Sequence, residues 1–239
     1  MRNLSCFLLL FCGDLHPAEE YELWWEKNIN NTLSISTFDE WLGDIHSTSR
    51  VLMRRHVQKM GYRSIVDVPA GLCTDYFGFK HDGIAIEYLG VDITPKLVAR
   101  GLNQGIPIIE GDIKSLPFPD NRYEVCYARH ILEHLNGYEE AISDLIRVAS
   151  REVFITFFIH PQEKEVINSS YSFGQLLYGN TYSKSNIEKF ILSNPKTSDF
   201  EWEYVDGREI ILHIYLNSAN LVEWRIYRDK TVIRADRSL

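Results

Sequence analysis

Cysteine is sparse and unpaired in this 239-residue chain. Cys6, Cys12, Cys73 and Cys126 stand without a Cys-x-x-Cys pair or regular spacing, which excludes a disulfide framework and a zinc knuckle. Reduced thiols fit a cytosol-like compartment, so a cytoplasmic location is expected. Positive charge is also short: 25 Lys and Arg against 33 Asp and Glu give a net charge of -8. That field repels phosphate backbones, and no nucleic-acid partner is expected. Arg50, Arg54, Arg55, His56 and Lys59 do gather on one predicted helix, where they read as a solvated face. No apolar run reaches membrane length. The opening run Leu4 to Cys12, after Met1-Arg2-Asn3, has the outline of a short signal peptide, with a buried edge segment or an upstream start codon as the other readings. Internal repeats and low-complexity linkers are missing too.

What remains is an ordinary globular composition, 45% hydrophobic and 24% charged, long enough to bury a core without staples. Helical spacing runs from Thr37 to Gly61, through Phe38, Trp41, Leu42 and Ile45 and then Val51, Leu52, Val57 and Met60, with Gly61 as a helix-ending residue. Short apolar bursts follow at Ser64 to Val68, Ile86 to Val91, Ile106 to Ile109, Tyr123 to Ala128 and Val153 to Ile159. Helical stretches such as Pro95 to Leu102 and Tyr138 to Ser150 separate them. Strands alternating with helices predict an α/β fold with a mostly parallel sheet and helices on both faces. Residues 161–183 lack a period and read as an insertion over one end of the sheet. A helix from Lys184 to Leu192 follows, then Phe200 to Val205 and Ile210 to Leu216 around Asp206-Gly207, which predict a terminal antiparallel hairpin and seven strands in all. The expected division is an N-terminal segment and helical cap over 1–60, a core over 61–216 and an extension over 217–239.

In an open parallel sheet, ligands bind beyond the carboxyl ends of the strands. Those ends carry Asp67, Asp92, Asp112, Arg129 with His130, and His160. Asp92 follows Asp67 by 25 residues, the placement at which an acid after the second strand accepts both hydroxyls of a ribose. A dinucleotide enzyme needs a Gly-x-Gly-x-x-Gly cradle, and Pro69 to Tyr76 contains one glycine. A sulfonium cofactor, which has no phosphate, tolerates that loss. The phrases Ile65-Val-Asp-Val-Pro-Ala-Gly-Leu-Cys73, Tyr88-Leu-Gly-Val-Asp-Ile-Thr-Pro95, Gly111-Asp-Ile-Lys-Ser-Leu-Pro-Phe-Pro119 and Tyr127-Ala-Arg-His-Ile-Leu-Glu-His134 resemble the class I S-adenosylmethionine-dependent methyltransferases, of Rossmann-like fold. The resemblance spans residues 64–135 and continues more weakly to about 216. It implies that Asp67 holds the methionine amino group and that the loop Pro69, Ala70 and Gly71 lies against the cofactor. It likewise gives Asp92 the ribose hydroxyls, Ile93 the adenine face, Asp112 with Ile113 the adenine edge, and Arg129 a place beside the cofactor. Pro69 and Cys73 depart from the glycines usual at those positions, so the loop is expected to be remodelled.

His130, Glu133 and His134 are spaced to share one face of a helix just after the fourth strand. An imidazole, a carboxylate and a second imidazole suit a divalent ion such as Mg2+ or Mn2+. A Glu-x-x-Glu-His run binds metal at this place in some of the methyltransferases that the chain resembles, and His160 is the candidate fourth ligand here. Without metal, His130 or His134 is the expected general base, with Glu133 orienting it. The reaction expected is O-methylation of a sugar, glycan or glycosylated small molecule. An aromatic metabolite, or a catalytically silent binding module, are the alternatives. Trp24, Trp25 and Trp41 in the cap, facing Tyr171, Phe173, Tyr178 and Tyr182 of the insertion, are the candidate acceptor walls.

Overall fold

The computed structural model describes residues 43–172, 175–205 and 209–217. The cap tryptophans, the apolar start, Phe173, the Asp206-Gly207 turn and the extension from 218 lie outside these residues.

Helix α1 (Thr48–Met60) leads into strand β1 (Ser64–Asp67) and helix α2 (Thr74–His81), which the apolar pattern did not announce. Next come β2 (Glu87–Asp92), α3 (Pro95–Asn103), β3 (Ile108–Glu110), β4 (Tyr123–Arg129), α4 (Glu139–Val148) and β5 (Ala149–Phe157). A small hairpin of β6 (Ser169–Ser172) and β7 (Gln175–Tyr178), then α5 (Lys184–Ser193), β8 (Thr197–Val205) and β9 (Glu209–Leu216) complete the described chain. The main sheet has seven strands in the order β3-β2-β1-β4-β5-β9-β8. The first five are parallel, while β9 runs antiparallel to both β5 and β8. This is the α/β sheet with a terminal antiparallel pair that the sequence predicts. Strand order reverses between β1 and β4, which opens a crevice at their carboxyl ends.

Strand β1 is buried along its whole length, as expected of a strand covered on both faces. Ile142, Leu145 and Ile146 of α4 and Ile187 and Ile191 of α5 pack on one side. Met53 and Val57 of α1, Phe79 of α2 and Val98 of α3 pack on the other. Helix α4 runs straight into β5 without a glycine. Its last carbonyls, those of Ile146 and Arg147, and the first of β5, that of Ala149, accept hydrogen bonds from the Lys196 ammonium at 2.6, 3.0 and 2.8 Å. A cation thus closes the negative end of the helix.

Two sequence readings are corrected. The insertion 161–183 is not irregular: it holds the β6–β7 hairpin, anchored by the fully buried Asn180. That side chain donates to Leu135 O at 2.8 Å and accepts from Asn168 N at 3.0 Å, while the Asn180 backbone N–H donates to Glu133 O. Nor is the basic face of α1 solvated as a whole. Arg50 turns inward to pair with Asp75 of α2, and Arg54, 1% exposed, donates to Asp82 at 2.7 Å and to Ile45 O at 2.8 Å. Arg55 and Lys59 alone of the five are exposed. A buried guanidinium must be paired, and α2 supplies the acids that hold α1 against the sheet.

Gly78 makes this clamp possible, because a Cβ built there would lie 2.5 Å from an Arg54 guanidinium nitrogen. Gly78→Ala is therefore expected to destabilise the protein by about 1–3 kcal/mol, read as a lower urea midpoint at unchanged slope.

Candidate cofactor crevice and acceptor edge

The loop after β1 is fastened to its neighbours by backbone bonds: Val68 N to Tyr127 O and Ala70 N to Val91 O, both 2.9 Å. Asp67 beneath it is 2% exposed. Burial raises its carboxyl to about 6, although the Tyr88 hydroxyl, which donates to it at 2.7 Å, and the charges of Arg50 and Arg129 pull the other way. Tyr127 is fully buried and its hydroxyl has no partner; it feels the charges of Arg50, Arg129 and Asp67. One acid, two cations and an orphaned hydroxyl form a buried polar cluster beneath the loop.

Asp92 closes β2 with 3% exposure. It accepts from Gly71 N at 2.8 Å and from Thr94 N at 2.9 Å, so it joins the loop after β1 to the loop after β2. Burial raises its pKa, against the pull of these two amides. An ionised carboxylate has about four acceptor sites, which leaves room for hydroxyl donors. Ile93 beside it is half-buried. Gly111 N donates to Asp92 O at 3.0 Å, which brings the Asp112 loop alongside. Asp112 itself accepts from Lys114 N at 2.9 Å, and Ile113 sits in the core, 6% exposed. In the loop after β1, Pro69 and Gly71 are half-buried, and Ala70 fills the space over Gly90, where a Cβ would come within 2.8 Å of its own.

The histidine set is arranged differently from the sequence expectation. His130 takes a left-handed backbone, φ 55°, which ends β4 abruptly. A single 3-10 turn, Leu132–His134, follows in place of the predicted helix. The three- and four-residue spacing therefore never stacks the side chains on one face, and each is bonded elsewhere. His130 Nε2 meets Glu209 Oε1 at 2.5 Å, and the same oxygen accepts from Arg129 at 2.6 Å. Arg129 also reaches Ser49 Oγ at 3.3 Å. Glu133 is fully buried and accepts from Phe158 N at 2.7 Å and Ile159 N at 3.2 Å, while its Oε2 has no partner. His134 Nδ1 donates to Tyr178 O at 2.9 Å. The Phe158 ring, 38% exposed, lies 5.2 Å from the His130 ring and 5.3 Å from that of His134. Among the described residues, His130, Glu133, His134 and His160 form no group whose ligand atoms converge, and the donor set does not fit the metal that their spacing suggests.

The arrangement instead favours a neutral imidazole. Burial, helped by the charge of Arg129, lowers His130 to about 4 despite its bond to Glu209. Burial opposes ionisation of Glu209, but the bond from His130 and the charge of Arg129 outweigh it and bring that carboxyl to about 2. A carboxylate only accepts, so the proton of neutral His130 sits on Nε2 and Nδ1 carries a free lone pair. Burial raises Glu133 to about 7. Glu209 and Arg50, which sequence reasoning missed, thus belong to this edge. The one trace of Glu209 in the sequence is a charged residue at the head of the apolar run Ile210 to Leu216. Tyr182, expected as an acceptor wall, is 1% exposed and bonds the carbonyls of Leu132 and Leu135; it is core. Cys73 and Cys126 are free and buried.

Residues 67–157 match the family described as "Methyltransferase domain". Ajmaline N-methyltransferase of Rauvolfia serpentina is 28% identical over 109 residues, 41% of this chain. The match spans 36% of that relative's length. Among solved structures, 1,6-didemethyltoxoflavin-N1-methyltransferase of Burkholderia thailandensis, with 1,6-didemethyltoxoflavin and S-adenosylhomocysteine bound, superposes with a TM-score of 0.60 at 12% identity, covering 87% of this chain and 94% of that one. Magnesium protoporphyrin IX methyltransferase of Synechocystis PCC 6803, with S-adenosylhomocysteine bound, gives 0.55 at 13% identity, over 84% and 96%. These likenesses speak for the fold, and no helix among the described residues is long and apolar enough to cross a membrane. Sheet order and family match agree: residues 67–157 match a methyltransferase domain, set in the Rossmann-like seven-stranded fold of S-adenosylmethionine-dependent methyltransferases.

Proposed function

We propose that the protein transfers the methyl group of S-adenosylmethionine to a hydroxyl or ring nitrogen of a small acceptor, with His130 as general base. The observation that carries this reading is the Arg129–Glu209–His130 chain, which presents an unprotonated Nδ1 at the carboxyl edge of β4. When bound, the cofactor supplies an electrophilic methyl on a sulfonium, open to in-line attack. Asp92 accepts the ribose hydroxyls, and Asp67 with Arg50 receives the two charges of the methionine end. His130 takes the proton of the attacking group at Nδ1, while Glu209 holds the ring and stabilises the imidazolium as it forms. Glu133 acts at one remove, holding the backbone of Phe158 and Ile159.

Phe158, exposed between two imidazoles, offers a flat surface to a planar acceptor. The Rauvolfia and Burkholderia relatives are by name N-methyltransferases, and nitrogen or oxygen attack draws on the same base. A planar ring therefore fits this edge better than the glycan expected from the aromatic content of the sequence, since Tyr182 is withdrawn into the core. A metal-assisted route does not fit this edge, because the ligand atoms of His130, Glu133, His134 and His160 do not converge.

Asp92→Ala is expected to weaken S-adenosylmethionine binding by about 2–3 kcal/mol, roughly a 30- to 150-fold rise in Kd, and Asp67→Asn by less. Isothermal titration checks both; an unchanged Kd for Asp92→Ala would remove the ribose assignment. His130→Ala should lower kcat by about 100-fold or more with little change in cofactor Kd. With a base of pKa about 4, kcat at saturating cofactor and acceptor should stay on its plateau down to about pH 5, where an ordinary histidine base has already lost activity near 6.5. An acid limb centred at 6.5 would contradict the bonding described for His130.

A further inference from the structure

At the other end of the sheet, three elements far apart in sequence converge. His56 of α1 places Nε2 at 2.7 Å from Glu152 Oε2 of β5, and His213 of β9 places Nδ1 at 2.7 Å from Glu152 Oε1. Their ligand atoms all lie within 4.8 Å of one another, and no other such group of three or more occurs among the described residues. Glu152 lies four residues before Thr156, whose carbonyl accepts from His130 N, so about 13 Å of strand separates this cluster from the proposed base.

We propose that His56, Glu152 and His213 form a divalent transition-metal site, with Zn2+ the ion it suits best, that clips α1 to strands β5 and β9. Two imidazoles and one carboxylate are a borderline-soft set of the kind zinc takes, leaving a fourth position for water. A tetrahedral ion with bonds of roughly 2.0–2.1 Å sets its ligand atoms about 3.3 Å apart. The two 2.7 Å contacts are made by different Glu152 oxygens; with one of them as ligand, its contact would open by about 0.6 Å and separations of up to 4.8 Å would close by up to about 1.5 Å, an adjustment of side chains.

The surroundings carry the argument further. A ligating imidazole usually donates its other N–H to a carboxylate, which fixes the tautomer and strengthens the ligand. His213 Nε2 faces Glu203 Oε2 of β8 at 3.4 Å. The ligating carboxylate is normally hydrogen-bonded as well, and the Tyr62 hydroxyl donates to Glu152 Oε2 at 2.9 Å. Both outer partners are therefore in place around three inner ligands. The His56 side chain is 19% exposed against 0% for Glu152 and 5% for His213, which gives an ion a way in past α1. Because α1 also carries Arg50 and Ser49 to the cofactor edge, a clip at His56 braces the helix that completes that edge.

The test uses the full chain, stripped with EDTA and dialysed. Titration with ZnCl2 should give one equivalent bound at submicromolar Kd, and CoCl2 should produce visible d–d bands of a low-coordinate site. Zinc at a hundredfold excess over Kd should raise the thermal midpoint by about 5 °C or more. His56→Ala, at the partly exposed ligand, should fold and bind zinc at least 100-fold more weakly, with the cobalt bands gone. Glu152→Gln, which keeps the shape of the side chain, should behave alike; if it does not fold, His56→Ala decides alone. No heat and no midpoint shift with 100 μM zinc, or undiminished binding by His56→Ala, would overturn the proposal.

Discussion

A carboxylate taken out of water must find donors, and the organisation of the crevice follows from how Asp92 meets that demand. Its two oxygens take the amides of Gly71 and Thr94, so the loops after β1 and β2 are pinned to one side chain. An uncompensated anion at that depth would cost several kcal/mol. The same constraint acts on Asp67, met by Tyr88 and the charge of Arg50, and on Glu209, met by Arg129 and His130. The carboxyl edge of the sheet is thus a set of buried carboxyls, each given hydrogen-bond donors by a neighbouring element. A ligand that brings hydroxyls and an ammonium group enters an edge already arranged to receive them.

That demand also explains why the arginines of α1 do not behave as a surface stripe. Arg50 and Arg54 lie on the apolar side of the helix with Met53 and Val57. They stay there because Asp75 of α2 and Asp82 just beyond its end offer charges, and Gly78 offers space. Buried ion pairs of this kind add little net stability but specify one arrangement strongly, since losing a partner strands a charge. Helix packing at the crevice is therefore fixed by electrostatics as much as by apolar contact.

Strands β1 to β5 were legible as short apolar bursts spaced by helical stretches, and those of β1 to β3 end in acids, which strand order alone brings to one edge. The antiparallel pair was legible from two apolar runs around a turn signal. The α2 helix was not, since Thr74-Asp-Tyr-Phe-Gly-Phe-Lys-His81 carries no helical apolar period. The histidine geometry was hidden for a more specific reason. Spacings of three and four converge only on an α-helix, and one left-handed residue, His130, turns that stretch into a 3-10 corner. The partner of His130 lies 79 residues away at the head of β9, and pairings set by a strand inserted between β5 and β8 cannot be read from local pattern. The His56, Glu152 and His213 cluster escaped for the same cause: its members are joined by sheet order and not by spacing.

The central claim is that the carboxyl edge from Asp67 to Glu209 is one site, with the nucleoside on Asp92 and the reacting sulfur facing His130. A crystal structure of the protein with S-adenosylhomocysteine tests it most directly. The account predicts both ribose hydroxyls within hydrogen-bond distance of Asp92, the amino-acid end between Asp67 and Arg50, and the sulfur open toward His130 Nδ1 beside Phe158. A nucleoside bound away from Asp92, or a sulfur turned from His130 with Glu209 no longer bonded to its ring, would contradict it.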